Sequence, residues 1–241
     1  MSGHSKWAQI KRQKGVQDTK RGTLFTKLSN AVSLAAKAGG KDPEINFKLR
    51  LAIEKAREAN MPMDNIERAI KRGVGELEGQ QIEEINYEGY GPSGIAIIIE
   101  TVTDNKNRTT SEIRNILSKY GGRLGEAKSV KWLFEQRGVI KILLNKKQDK
   151  ENFELKIIDA GAEDVVEDED ELTVFTKPED LQKVKENIEK QKIKVEYAEI
   201  EMVAKNKIEI ADSETKGKLE KIFEELDNHD NVDNFFTNLK E

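Results

Sequence analysis

Apolar positions first recur at helical spacing. Leu24, Phe25, Leu28, Val32, Ala35 and Ala38 fall along one face, and Gly39-Gly40 ends the run. A second helix is predicted to open at Asp42-Pro43, an N-cap followed by a proline whose missing N–H costs nothing there. It carries Phe47, Leu51, Ala52, Ala56 and Ala59 inward. A third opens at Pro62, with Asp64 in its first turn and Lys71-Arg72 in its last, charges that complement the helix dipole. Gly73 to Gln81 is polar and glycine-containing, which predicts a linker.

Beyond the linker the period shortens. Ile85–Tyr90 and Ile95–Thr103 are β-rich runs joined by Gly91-Pro92-Ser93-Gly94, a turn by composition. A helix follows from about Asn107, with Ile113, Ile116, Leu117 and Tyr120 on one face and Gly121-Gly122 at its end. Strands are predicted at Val130–Phe134 and Val139–Leu144. Helices at Lys150–Asp159 and Pro178–Lys190 then alternate with strands at Leu172–Thr176 and Val195–Val203, the order of a split βαβ unit of ferredoxin-like type. The tail adds a strand at Lys207–Ile210, an amphipathic helix bearing Leu219, Ile222, Phe223 and Leu226, and a strand at Val232–Thr237. The five consecutive acids Glu167–Glu171 read as a solvated loop.

Composition narrows the class. Charged residues make up 36% of the 241 positions, above the roughly 25% of an average globular domain, so several small domains fit better than one thick core. There are no cysteines, which excludes a disulfide scaffold, a thiol nucleophile and thiolate zinc sites. No apolar run approaches the roughly 18 residues that span a bilayer, and no apolar stretch follows the basic N-terminus as in a secretory signal. A cytoplasmic location is expected. The formal net charge of −4 is unevenly spread: residues 1–79 hold 16 basic and 9 acidic side chains, or +7, so the other 162 carry −11. A basic head on an acidic body is expected where one part meets phosphates and the rest must not.

The chemistry-bearing motifs are few. Gly89-Tyr90-Gly91-Pro92-Ser93-Gly94 spells G-x-G-x-x-G, but it leads into Ile95-Ala96-Ile97-Ile98-Ile99 rather than a helix, so a glycine-rich hairpin is expected and not a dinucleotide cradle. His229 sits in Asp227-Asn228-His229-Asp230-Asn231, which lacks the glycine and final Glu of a calcium loop and a second His for zinc; a polar turn is expected. No carboxylate pair has the apolar setting that tunes a general acid. No catalytic residue, metal, cofactor or small-molecule substrate is predicted. An enzyme using the Gly89–Gly94 turn or the stretch Thr103–Thr109 is the competing reading, against a strand end and helix N-cap there.

The N-terminal arm is the candidate site. Lys6, Lys11, Arg12, Lys14, Lys20, Arg21 and Lys27 stand against one acid, Asp18, within the first 30 residues. Such cations neutralise phosphates and release counterions, and His4 beside them is a further phosphate or base contact. Trp7 either stacks on an unpaired base or anchors the arm to the helices with Ile10; both roles stay open.

These residues also carry a resemblance. Gly3-His4-Ser5-Lys6-Trp7, Asp18 to Gly22, Phe25-Thr26-Lys27-Leu28, Ala69 to Gly73, Tyr87 to Pro92 and Thr103 to Thr109 resemble, in order, motifs of the YebC (YebC/PmpR) family, and the likeness runs through Gly121-Gly122 and Ser129-Val130. The resemblance implies an α+β protein of three domains: an N-terminal helical bundle at 1–79, a discontinuous α/β middle domain at 80–135 plus 205–241, and an inserted ferredoxin-like α/β domain at 136–204. It also implies a non-enzymatic regulator that binds DNA. Other members act on the ribosome, as a mitochondrial translational activator of cytochrome oxidase does, and help it through stretches such as consecutive prolines. The expected partner is nucleic acid, DNA or ribosomal RNA, with the ribosome as a further candidate. No helix is marked by base-reading Asn, Gln or Arg, and a basic arm with an aromatic suits irregular RNA at least as well as duplex DNA.

Overall fold

The computed structural model describes residues 19–77, 82–144, 150–168 and 171–240. In chain order its first elements are α1 (Thr19–Gly39), α2 (Phe47–Glu58), α3 (Met63–Gly73), β1 (Glu83–Tyr90), β2 (Ala96–Thr103), α4 (Lys106–Lys119) and β3 (Arg123–Leu124). Then come β4 (Phe134–Leu143), α5 (Lys150–Asp159), β5 (Asp164–Asp168), β6 (Glu171–Thr176), α6 (Leu181–Lys190) and β7 (Tyr197–Ala204). β8 (Ile208–Glu209), α7 (Ser213–Asp227), β9 (Val232–Thr237) and β10 (Leu239–Lys240) complete the α+β chain. Among the described residues one compact unit comprises 19–130 and 210–235, and a second comprises 131–209 and 236–240.

In the first unit α1, α2 and α3 enclose Val32, Ala35, Ala36, Leu49, Ile53, Ala56, Met61, Ile66 and Ala69. Burying each large aliphatic side chain here contributes about 1.5–3 kcal/mol, more than any one hydrogen bond, so apolar burial holds the bundle together. The sequence reading of α2 needs correction in two respects. The helix opens at Phe47, not at Asp42: Asp42 instead accepts Glu44 N–H at 2.9 Å in a preceding turn, and Asn46 is the N-cap, accepting Leu49 N–H. Its inner stripe is Leu49, Ile53 and Ala56, while Phe47 and Leu51 are 60% and 41% exposed. Two residues along a helix turn through about 200°, so the two apolar stripes lie on opposite faces and only one can meet α1. Leu24 and Ala38, expected inward, are likewise exposed.

β1 and β2 pair antiparallel from Glu83↔Thr103 to Tyr90↔Ala96. Their connection is a tight turn in which Gly94 has φ +77°, and Gly91 N–H donates to Ile95 O at 2.7 Å. The G-x-G-x-x-G spelling is thus a hairpin, as its strand context predicts. The sheet order is β3-β1-β2-β9, and Ala96–Ile99 of β2 are fully buried. α4 packs on β1, β3 and α7. Phe223 of α7 stacks on Phe235 of β9 at 5.3 Å between centroids.

A buried carboxylate shapes the loop after β3. Glu88 accepts Lys128 N–H on one oxygen and Val130 N–H on the other, both at 2.7 Å. Lys128 is held there at φ +70°, a left-handed conformation that costs a lysine about 1 kcal/mol or more unless its surroundings impose it. Glu88→Gln turns one acceptor into a donor facing a backbone N–H. The expected cost is about 1–3 kcal/mol, read as a lower urea midpoint at unchanged slope. An unchanged midpoint would mean the loop holds itself.

The second unit has the sheet order β5-β6-β4-β7 with all neighbours antiparallel. Ile140, Ile142, Leu172 and Val174 pack on Phe153, Ile157 and Ala160 from α5 and its end, and on Val184 and Ile188 of α6. The order β-α-β-β-α-β matches the alternation seen along the sequence. Here too there are corrections. The strand expected at Val139–Leu144 is β4, which begins earlier, at Phe134, and runs through Gly138; of the strand expected at Val130–Phe134 only Phe134 belongs to it, and Lys131–Leu133 form a short 3-10 turn. Pairing with β6 and β7 on both sides carries the strand past a glycine that its local propensity disfavours. The acidic block is not simply a loop: Glu167 and Asp168 end β5 and Glu171 begins β6. β8 and β10 form a short parallel pair within this unit.

Candidate nucleic-acid interface

His4, Lys6, Trp7, Lys11, Arg12 and Lys14 lie outside the described residues. Lys20 and Arg21 fall in the first turn of α1. Lys27 is half-buried, its Nζ 4.0 Å from a carboxylate oxygen of Asp227 on α7. The remaining cations of the bundle are distributed over two helices. Lys48, Arg50, Lys55 and Arg57 of α2 and Arg68 and Lys71 of α3 are exposed, with Glu54, Glu58, Asp64 and Glu67 among them. Arg50 lies over the exposed Phe47 ring at 5.2 Å, which screens part of that outer apolar stripe.

The best-ordered cation is Arg72, which sequence reading did not single out. α1 and α3 approach closely at Gly73: a Cβ there would strike the Ser33 carbonyl oxygen and lie 2.9 Å from the Ala36 methyl. Ser33 Oγ is 2.7 Å from Ala69 O and ties the two helices together. This contact draws the Arg72 side chain along α1. Its Nε donates to Ser33 Oγ at 3.0 Å, and its Nη2 donates to Asn30 Oδ1 at 2.7 Å and reaches Ser29 Oγ at 3.5 Å. Half-burial pushes the guanidinium below its usual pKa; Asp104 opposes that shift and the positive Arg68 adds to it. A guanidinium stays protonated in any case, so the result is a fixed, partly desolvated positive charge.

Arg72 separates two recesses. One, of about 300 Å³, is lined by Thr26, Ser29, Asn65, Arg68 and Arg72 beside Phe25 and Ala69, with no carboxylate among the described residues. Asn65, Arg68 and Arg72 stand at i, i+3 and i+7, one stripe of α3. The other, of about 590 Å³, is mixed in sign, with Asp104, Arg108, Glu112, His229, Asp230 and Asn231 in its wall. There Arg108 pairs with Asp104 at 2.7 Å, and His229 Nε2 meets Glu112 at 3.1 Å. Because His229 Nδ1 accepts Asn231 N–H at 3.1 Å, the neutral ring carries its proton on Nε2 and donates it to Glu112. His229 therefore belongs to the polar turn between α7 and β9, as expected. The stretch Thr103–Thr109 is the end of β2 and the cap of α4: Asn105 accepts Arg108 N–H at 3.0 Å, and Thr109 Oγ1 donates to Thr103 Oγ1 at 2.9 Å. Among the described residues no helix is long and apolar enough to cross a membrane.

Comparison with known proteins places this arrangement in context. Residues 5–76 match a family model described as the TACO1/YebC protein N-terminal domain, and residues 82–239 match one described as the TACO1/YebC second and third domain. A protein of Persephonella marina is 50% identical over 100% of this chain and 96% of its own length, and one of Halothermothrix orenii is 49% identical over 99% and 95%. Both bear the name "Probable transcriptional regulatory protein". The crystal structure of a conserved hypothetical protein from Aquifex aeolicus superposes with a TM-score of 0.80 at 45% identity, covering 92% of this chain and 91% of that one. With both family models together spanning nearly the whole chain, this protein belongs to the TACO1/YebC family.

Proposed function

We propose that this protein is a cytoplasmic, non-catalytic regulator of gene expression that grips nucleic acid with its basic arm and helical bundle. The observation that carries the reading is the segregation of charge: +7 in residues 1–79 against −11 in the rest. The exposed cations of α2 and α3 add to the charge of that basic segment. The names of the relatives, probable transcriptional regulatory proteins, support a regulatory role. We further propose the division into a bundle at 1–79, a discontinuous α/β domain at 80–135 plus 205–241, and a ferredoxin-like domain at 136–204. In that arrangement the acidic parts face protein partners or solvent.

A second reading, a ribosome-associated translation factor that binds ribosomal RNA, is favoured by the exposed face of α3. Asp64 and Glu67 alternate there with Asn65, Arg68 and Lys71. Laid in a major groove, that helix would bring Asp64 and Glu67 near phosphates together with its cations, whereas irregular RNA can meet the cations alone. Co-sedimentation with ribosomes across a salt series, beside binding to duplex DNA, separates the two. Stoichiometric ribosome association that outlasts DNA binding as salt rises identifies a translation factor. Sequence-dependent DNA binding without ribosome association identifies a transcriptional regulator.

A further inference from the structure

We infer that the recess between α1 and α3 is a seat for a single backbone phosphate of a nucleic-acid strand, clamped by Arg68 and Arg72. This rests on the nucleic-acid reading and assigns it a site that the arm does not contain. Three observations converge. Among the described residues the lining holds two guanidinium groups one helical turn apart, the Ser29 hydroxyl and the Asn65 amide, and no acid; the Thr26 hydroxyl there donates to Gly22 O at 3.2 Å. Donors without a competing carboxylate are what an anion requires, and forked guanidinium groups fit phosphate oxygens in pairs. The neighbouring recess, with Asp104, Glu112 and Asp230 in its wall, fails that condition.

The second observation is that Arg72 is already oriented. Ser33 and Asn30 take its Nε and Nη2 protons, which leaves the Nη1 amino group for a ligand. Its rotamer entropy is thereby given up on folding and not on binding. Third, Arg68 is exposed and makes no hydrogen bond or ion pair among the described residues. Its charge sits close enough to Arg72 to depress the latter's pKa. An anion seated between the two guanidinium groups relieves that repulsion, and a phosphodiester carries one negative charge.

The test compares Arg68→Gln with Lys183→Gln, an equal charge change at an exposed position of α6 outside the bundle. Fluorescence anisotropy is read with the full-length protein on a labelled ~20-nucleotide single-stranded RNA and a duplex DNA of equal length, across a salt series. Since Arg68 supports no fold contact, the thermal melt of R68Q should overlay wild type. The expected result is about 5- to 10-fold weaker binding for R68Q on the preferred strand. Its log–log salt slope should fall by roughly 0.7–0.9, one phosphate's worth, while K183Q stays within about twofold. Equal losses for R68Q and K183Q, or no loss for R68Q while arm substitutions still weaken binding, overturn the seat and leave the nucleic-acid reading standing. Absence of strand binding by the wild type overturns both. In a parallel arm at fixed ionic strength, about 5 mM inorganic phosphate should leave the strand bound. Displacement by phosphate that R68Q abolishes would make the site one for free phosphate, and the proposal would be wrong.

Discussion

Replacing Lys11, Arg12 and Lys14 together by glutamate is expected to weaken nucleic-acid binding on the order of 10²-fold or more near 100 mM salt. Three phosphate contacts of the arm are lost and three repulsions introduced. The linear dependence of log affinity on log salt should flatten by about 2–3 units, since each duplex phosphate neutralised contributes roughly 0.9 and each single-strand phosphate roughly 0.7. Thermal melts of the variant and the wild type separate a loss of binding from a loss of fold. Unchanged affinity at moderate salt would sink the arm as the site. Combining the triple variant with R68Q then tells whether arm and recess engage the same strand. Independent contacts give losses that add on a logarithmic scale, and a shared one gives less.

The largest effect on folding is expected from Asn46→Asp. The Asn46 amide nitrogen donates to Ala35 O and Gly40 O, both at 2.8 Å, and its carbonyl oxygen caps α2 through Leu49 N–H at 3.1 Å. This one buried side chain closes the end of α1 onto the start of α2. Aspartate caps a helix as well as asparagine does, so the substitution spares the cap and removes only the donors. A buried carboxylate then faces two carbonyl oxygens, at a cost of about 3 kcal/mol or more. Hydrogen exchange of the α1 and α2 amides should show the loss, while the β4–β6 amides of the second unit keep their protection. The deficit should narrow as pH falls, because the carboxyl, protonated more readily in the folded state than in the unfolded chain, again donates to one carbonyl. A deficit independent of pH, or none, would mean the cap alone mattered.

The legibility of this chain varied by element for physical reasons. The hairpin at Gly89–Gly94 was readable because a run of five apolar residues after the turn leaves no place for a helix. The cap of α4 was readable because Asn105 stands where a strand's period gives way to a helix's. α2 was misread because it carries two apolar stripes, and nothing in its own sequence says which one α1 covers. β4 was expected to start only at Val139 because Gly138 weakens a strand locally, while hydrogen bonds to β6 and β7 sustain it from both sides. In the candidate site, the arm's cations stand out in the sequence as an unbroken excess of charge. Arg72 does not, since its neighbours in sequence include Glu67, Lys71 and Glu76 and suggest an ordinary solvated helix end.

The sequence by itself determined what is local or additive: the two periodicities, the turns and the summed charge of each segment. Each depends on residues within a few positions of one another or on simple counts. Only the tertiary structure decided what depends on distant residues meeting. It chose which stripe of α2 is buried. It set Ser33 against Gly73 so that Arg72 lies along α1. It also put Arg68 beside a recess that no carboxylate among the described residues lines. Charge can be summed along a chain, but a binding site is a difference in potential between two places in space, and only packing fixes where those places are.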